Sequence, residues 1–289
     1  MAGATRSCVT SSAVRWVCDV AENPAGNRRT ALVTGGSRGI GRSVAEQLLA
    51  AGHRVVITGR DEATLAATAA ELTAAAANLT AGAATVDPVQ TLAFDAADPA
   101  ATAEALAGSV ADIVVANIGV ATSGTITSTT YDEWTRVLTT NVTSTFVVMQ
   151  AVLPHMVEQG WGRVVTVGSL ASHQGIRFGA AYATSKHALL GLTRAAAMDL
   201  AKTGVLVNMV SPALVRTDMT RDNIARMVAA RGGTEAEAEA RLARNTPEGR
   251  IIEPDEVARA IVALTTEDLT ATGTVVAVGH QLADPPPVG

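Results

Sequence analysis

Seven short runs of aliphatic residues recur along the chain, and longer segments of helical character separate them. This alternation limits the possible folds more than any other feature. The runs fall at residues 30–34, 53–58, 91–95, 112–116, 163–167, 205–210 and 274–278. Each is nearly continuous in apolar character, as a strand covered on both faces requires. Strands that alternate with helices pair in parallel, because each connection crosses back over the sheet.

The intervening segments support this. Ile40, Val44, Leu48 and Leu49 share one helical face, and Gly52 follows as a stop. Residues 61–77 are rich in alanine, a strong helix former, and read as a helix packed closely on a sheet. Residues 131–159 have a long helical pattern with a break expected near Pro154, since an interior proline removes a donor. Further helices are expected at 99–107, 182–201 and 254–266, the last with proline in its first turn. The fold class expected is α/β, a single-domain Rossmann-type doubly wound parallel sheet of about seven strands.

No linker interrupts residues 30–280, which read as one domain. Residues 1–29 read as an irregular polar tail. They lack the apolar stretch of a secretory signal, and Asp19 and Glu22 argue against a transit peptide. Residues 281–289, with Pro285, Pro286 and Pro287, read as a loose end.

In open parallel sheets, ligands bind beyond the carboxyl ends of the strands. Asp95, Asn117, Ser169 and Pro212 lie at or just past such ends. The first strand is followed by Thr34-Gly-Gly-Ser-Arg-Gly-Ile-Gly41, which opens a helix. Glycines there let the backbone approach a pyrophosphate, and a helix N-terminus favours negative charge. The spacing is neither Gly-x-Gly-x-x-Gly nor that of a P-loop.

Tyr182 and Lys186 are four residues apart and lie on one helical face. A free phenol titrates near pH ~10. An ammonium one turn away favours the phenolate, which makes the pair a plausible acid and base for a carbonyl or an alcohol. Alone, this spacing is equally that of a solvated helix face. The glycine loop, Asn141 and Ser169 precede it in order, and together the four features resemble the short-chain dehydrogenase/reductase family over roughly residues 30–280. The run Tyr182-Ala-Thr-Ser-Lys-His-Ala-Leu-Leu-Gly191 and the later Arg250-Ile-Ile-Glu-Pro-Asp-Glu-Val257 resemble polyketide ketoreductases and 3-oxoacyl-carrier-protein reductases.

The resemblance implies a catalytic set of Asn141, Ser169, Tyr182 and Lys186. Tyr182 would give a proton to a substrate oxygen as hydride arrives from the nicotinamide. Ser169 would bond the same oxygen, Lys186 would hold the ribose, and Asn141 would position a water. The implied dinucleotide site takes in Gly35, Ser37, Arg38, Gly39, Ile40, Gly41, Arg60, Asp95, Asn117, Gly119, Tyr182, Lys186, Pro212 and Thr217. The sequence departs from the family pattern at Ala116, Ile118 and Ala213, and at Gly279-His280, which stands where Asp-Gly is usual.

NADP(H) is the expected cofactor, and NAD(H) is the lesser alternative. The second strand ends in Ile57-Thr58-Gly59-Arg60, with no carboxylate at Gly59 for a ribose diol. Arg60 and Arg38 can both meet a 2′-phosphate. Asp61, one position on, could instead face the ribose.

A net charge of −5 argues against a nucleic-acid partner. No uninterrupted apolar run reaches 18 residues, so no membrane span is expected. Cys8 and Cys18 both lie in the tail, which suits a reducing, cytoplasmic setting. The histidines show no metal-ligand spacing, and no metal is expected. His155, His173 and His187 read as loop or surface residues, though His173 lies close enough to Ser169 to touch substrate.

The region 213–248 reads as a salt-bridged helical lid, whose arginines could alternatively meet the phosphate of an acyl carrier. The expected activity is reduction of a ketone or an acyl-thioester carbonyl. Oxidation of a small secondary alcohol is the alternative, and a non-catalytic dinucleotide sensor is a third reading. Ala195, Ala196, Ala197, Met198 and Leu200 suggest helix pairing between copies, and a homotetramer is expected.

Overall fold

The computed structural model describes residues 28–79 and 89–281. The expectations for the two tails, including Cys8 and Cys18, lie outside the described residues apart from Arg28, Arg29 and Gln281. The first half runs β1 (Thr30–Val33), α1 (Gly39–Ala50), β2 (Arg54–Gly59), α2 (Glu62–Leu79), β3 (Val89–Ala93), α3 (Pro99–Ala105) and β4 (Ile113–Ala116). Then come α4 (Tyr131–Leu138), α5 (Ser144–Gln159), β5 (Gly162–Val167), α6 (Ala180–Asp199) and β6 (Val205–Pro212). Last are α7 (Asp218–Arg231), α8 (Glu235–Arg244), α9 (Pro254–Ala263) and β7 (Val275–Val278).

The strands form one seven-stranded sheet in the order β3-β2-β1-β4-β5-β6-β7, every pair parallel. Side chains alternate between its faces. Ala31, Val33, Val55, Ile57, Ile113 and Val115 face α1, α2 and α9, through Val44, Leu48, Leu65, Val257 and Ile261. Leu32, Val56, Val114 and Val164 face the other way, onto Val148, Val152 and Met156 of α5 and Ala197 of α6. Each fully buried Leu or Ile contributes about 1.5–3 kcal/mol, so both faces hold the sheet.

Local chemistry sets the helix starts. Asp98 caps α3 through the N–H groups of Ala100 and Ala101, and Pro99 follows where its missing donor costs nothing. Thr130 and Glu133 form a capping box on α4, and Thr234 with Glu237 repeats it on α8.

Two expectations are corrected. The strand expected at 91–95 lies at Val89–Ala93. The helix expected to break near Pro154 passes through it and changes instead at Thr139–Thr143, a single π turn. Gln150 and Pro154 are both exposed, so the carbonyl freed by the proline faces water. Tyr131–Gln159 is apolar and long enough to cross a membrane by composition alone, but Val148, Met149, Val152 and Met156 on it belong to the core.

The strand order reverses at β1, which lies between β2 and β4. That is the topological switch point, where a parallel sheet opens a crevice. The glycine loop after β1 and the turn after β4 meet there.

Candidate active site

The glycine loop is shaped by contacts a side chain would destroy. Gly35 adopts a left-handed φ of +66°. A Cβ on Gly41 would lie 2.2 Å from the Gly35 carbonyl oxygen, so no other residue fits there. Arg38 occupies the cap position of α1 and makes no side-chain cap bond there. Among the described residues, no side chain bonds the first N–H groups of α1, which open on the crevice.

Thr34 and Asn117 tie this loop to β4. The Thr34 hydroxyl accepts from Asn117 N at 2.9 Å and Ile118 N at 3.2 Å. The Asn117 amide donates back to the carbonyls of Thr34, at 3.0 Å, and Gly35, at 3.2 Å. Asn117 thus holds the glycine loop against the turn after β4, with its amide committed to it.

At the end of β2, Asp61 accepts from the backbone N–H of Thr64 at 2.7 Å and from its hydroxyl. These two bonds hold the Asp61 carboxyl below its usual range. They also turn it onto the first turn of α2. Arg60 is exposed and makes no ion pair among the described residues, so it is not spent on Asp61 or Glu62. Arg38 is engaged with Asp218, at 3.1 Å, at the start of α7. Ser37 and Ile40 line the same loop, partly exposed. Asp95 stands exposed past β3 and accepts from Ala97 N at 3.0 Å. Pro212 ends β6, and Thr217 lies against the glycine loop, 3.3 Å from where a Cβ on Gly39 would sit.

Across the crevice, Lys186 is 3% exposed. Its ammonium donates to the Val167 carbonyl at 2.8 Å and stands 5.7 Å from the centre of the Tyr182 ring. Burial pushes Lys186 down to about 8. A Cβ on Gly119 would lie 3.4 Å from that ammonium, so the backbone of the β4 turn passes close over it.

Burial also pushes the Tyr182 phenol up, and a hydrogen bond with Ser169 opposes this. The lysine was expected to lower the phenol. Instead its charge is directed at Val167 and is itself weakened by burial, so desolvation decides. Tyr182 therefore holds its proton at neutral pH.

Ser169 caps the short 3₁₀ turn Leu170–Ser172 at the end of β5. Its hydroxyl accepts from Ala171 N at 3.2 Å, so its own proton remains available to donate. Asn141 sits in the π turn, fully buried. Its amide donates to Val120 O and to Ser185 Oγ, both at 2.9 Å, and its oxygen accepts from Val120 N at 2.8 Å. Both amide protons are committed to protein groups, and what the side chain holds is the Gly119–Val120 turn beside Lys186.

A profile described as short chain dehydrogenase matches residues 29–227. The chain is a short-chain dehydrogenase. It is 35% identical over 244 residues to ketoacyl reductase 1 of the granaticin polyketide synthase from Streptomyces violaceoruber, covering 83% of this chain and 88% of that one. It is 33% identical over 239 residues to a 3-oxoacyl-[acyl-carrier-protein] reductase of Aquifex aeolicus, covering 83% and 90%. Among solved structures, a variant of actinorhodin polyketide ketoreductase with NADPH superposes with a TM-score of 0.79 at 30% identity, covering 87% and 96%. Like these relatives, this short-chain dehydrogenase is an NAD(P)-dependent oxidoreductase acting at a carbonyl group.

Several residues of this short-chain dehydrogenase site escaped the sequence reading. Ser185 receives the Asn141 amide from inside the Tyr182–Lys186 turn, and its position one turn from Tyr182 was the available signal. Thr34 was visible only as the first residue of the loop. Val120 and Val167 act through backbone carbonyls, which side-chain identity does not encode.

Proposed function

We propose that this short-chain dehydrogenase is an NADPH-dependent reductase of a ketone or a 3-oxoacyl thioester, with Tyr182 as the proton donor. The observation that carries the reading is the meeting of Ser169, Tyr182 and Lys186 at one end of the sheet. A phenol held protonated by burial can give its proton to a carbonyl oxygen. The Ser169 hydroxyl, which bonds Tyr182, can turn the same proton to that oxygen and steady its charge. The Lys186 ammonium would hold the ribose hydroxyls with the donors that Val167 leaves free. Asn141 keeps the Gly119–Val120 turn in place over that ammonium. The names of the granaticin and Aquifex relatives favour a 3-oxoacyl substrate.

The residues fit a dinucleotide. The side-chain-free cradle of Gly35 and Gly41, in front of the uncapped α1 N-terminus, suits a pyrophosphate. Gly39, Ile40, Asn117, Gly119, Pro212 and Thr217 line the rest, and Asp95 would stand at the adenine end. When bound, the nicotinamide supplies the electrons that reduce the carbonyl carbon.

The choice of NADPH rests on Asp61 being held by Thr64, which leaves Arg60 as the charged group free at the end of β2. A guanidinium suits the 2′-phosphate as a bidentate partner. Arg38 is paired with Asp218, so cofactor choice is placed on Arg60 first.

The test is kcat/KM for NADPH and NADH with a panel of ketones and 3-oxoacyl thioesters, in the parent and in Arg60→Ala. The reading expects a preference for NADPH that falls about tenfold in the variant, as loss of a charge-assisted contact implies. Equal efficiency with NADH in the parent would remove it.

A further inference from the structure

Ser211 precedes Pro212 at the end of β6 and is fully buried. Its hydroxyl donates to the Ser169 carbonyl at 2.6 Å. A hydroxyl has one proton, so its contact with His173 Nε2 at 3.1 Å is one in which the ring donates. His173 therefore carries its proton on Nε2. Burial, and then the neighbouring His280, Arg194 and His187, push His173 below its ordinary value, so that donor is neutral at pH 7. On the other side, His280 Nε2 stands 2.7 Å from the Ser211 carbonyl, which can only accept. The two imidazoles are 6.2 Å apart and bracket Ser211.

The result is a chain of donors running from His173 to Ser211 to Ser169. The Ser169 N–H donates to Ser172 Oγ at 3.1 Å, and its carbonyl is held by Ser211. Both peptide groups flanking the Ser169 Cα are thus fixed. The hydroxyl is then oriented by the Ala171 N–H, from which it accepts, and by its bond with Tyr182. Within the 3₁₀ turn the Ser169 carbonyl also accepts from Ser172 N at 2.8 Å. Ser211 adds a second, shorter bond from β6, and the Ser211 backbone is braced in turn by His280, one of the residues where this chain departs from the family pattern.

We infer that Ser211 and His173 are positioning residues for Ser169, setting the direction in which its hydroxyl meets the substrate oxygen. The inference rests on the reading of Ser169 given under the proposed function. Rate is sensitive to such placement, because a bonding group displaced by a fraction of an ångström loses contact with the transition state.

The test is a double-mutant cycle on kcat at saturating NADPH and ketone, with Ser169→Ala, Ser211→Ala and the pair. Melting curves establish that each variant is folded. Ser211→Ala is expected to lower kcat about tenfold with KM nearly unchanged, the rate equivalent of one hydrogen bond. In the Ser169→Ala background the same change should cost less than about twofold, because the group it positions is gone. His173→Leu should reproduce the loss, and His173→Gln, which keeps an N–H donor, should recover most of it. Equal losses in both backgrounds, or His173→Gln no better than His173→Leu, would overturn the inference. Parental kcat in Ser169→Ala alone would instead overturn the reading of Ser169 on which it stands.

Discussion

The ammonium of Lys186 points at the Val167 carbonyl, 2.8 Å away, and lies one helical turn from Tyr182, 5.7 Å from its ring centre. The fold buries this charge almost completely, and that burial has a cost that depends on pH.

Below pH about 8, Lys186 is charged in both folded and unfolded states, and the folded state bears the full desolvation penalty. Between about 8 and the ordinary 10.5, the unfolded chain binds more protons, so folded stability rises with pH. The depression amounts to about 3 kcal/mol over that window. Lys186→Met lacks the titration. The stability of the parent relative to this variant should therefore rise by about that much from pH 7 to 10.5, measured by urea unfolding. A difference independent of pH would show that Lys186 is not depressed.

Asn141→Ala leaves both polar groups of Val120 without their partner and removes the bond that the Ser185 hydroxyl accepts, while its bond to the Tyr182 carbonyl stays. It should destabilise the fold by about 3 kcal/mol, since buried groups left unsatisfied cost about 1–3 kcal/mol each and some relax. Turnover should fall as well, because the Gly119–Val120 turn loosens over Lys186. Unfolding within about 0.5 kcal/mol of the parent would show the clamp carries no weight.

The strands were legible because strands buried on both faces leave unbroken apolar runs. The Tyr182–Lys186 spacing and Ser169 at a strand end were legible because side-chain identity and sequence offset are both written in the sequence. The π turn around Asn141 was not, because an extra residue in a helical turn leaves no compositional trace. Pro154 misled for a related reason. Proline marks a missing donor, but whether a helix breaks depends on whether water reaches the freed carbonyl. The Ser211 link to Ser169 joins residues 42 apart, and sequence offsets carry no sign of such contacts.

The surface of α5 and α6 bears on assembly. Ala196 and Ala197, expected at a contact between copies, belong to the chain's own core. Phe146 at 46% and Met198 at 79% are exposed. We expect these to pack against a second copy in a homotetramer. Met198→Glu should shift the mass seen by light scattering at micromolar concentration toward a smaller species, since a carboxylate in an apolar contact is costly. A parent that is monomeric under those conditions would contradict the expectation.

The central claim is that Tyr182 supplies the proton in a reduction of a carbonyl. The most direct measurement is kcat of Tyr182→Phe beside the parent, with NADPH binding followed on the same samples. The account predicts a loss of about 10²–10⁴-fold in kcat, the usual contribution of a general acid, with binding of the dinucleotide kept. Turnover within about twofold of the parent would contradict it and leave the fold as a dinucleotide-binding module without this chemistry.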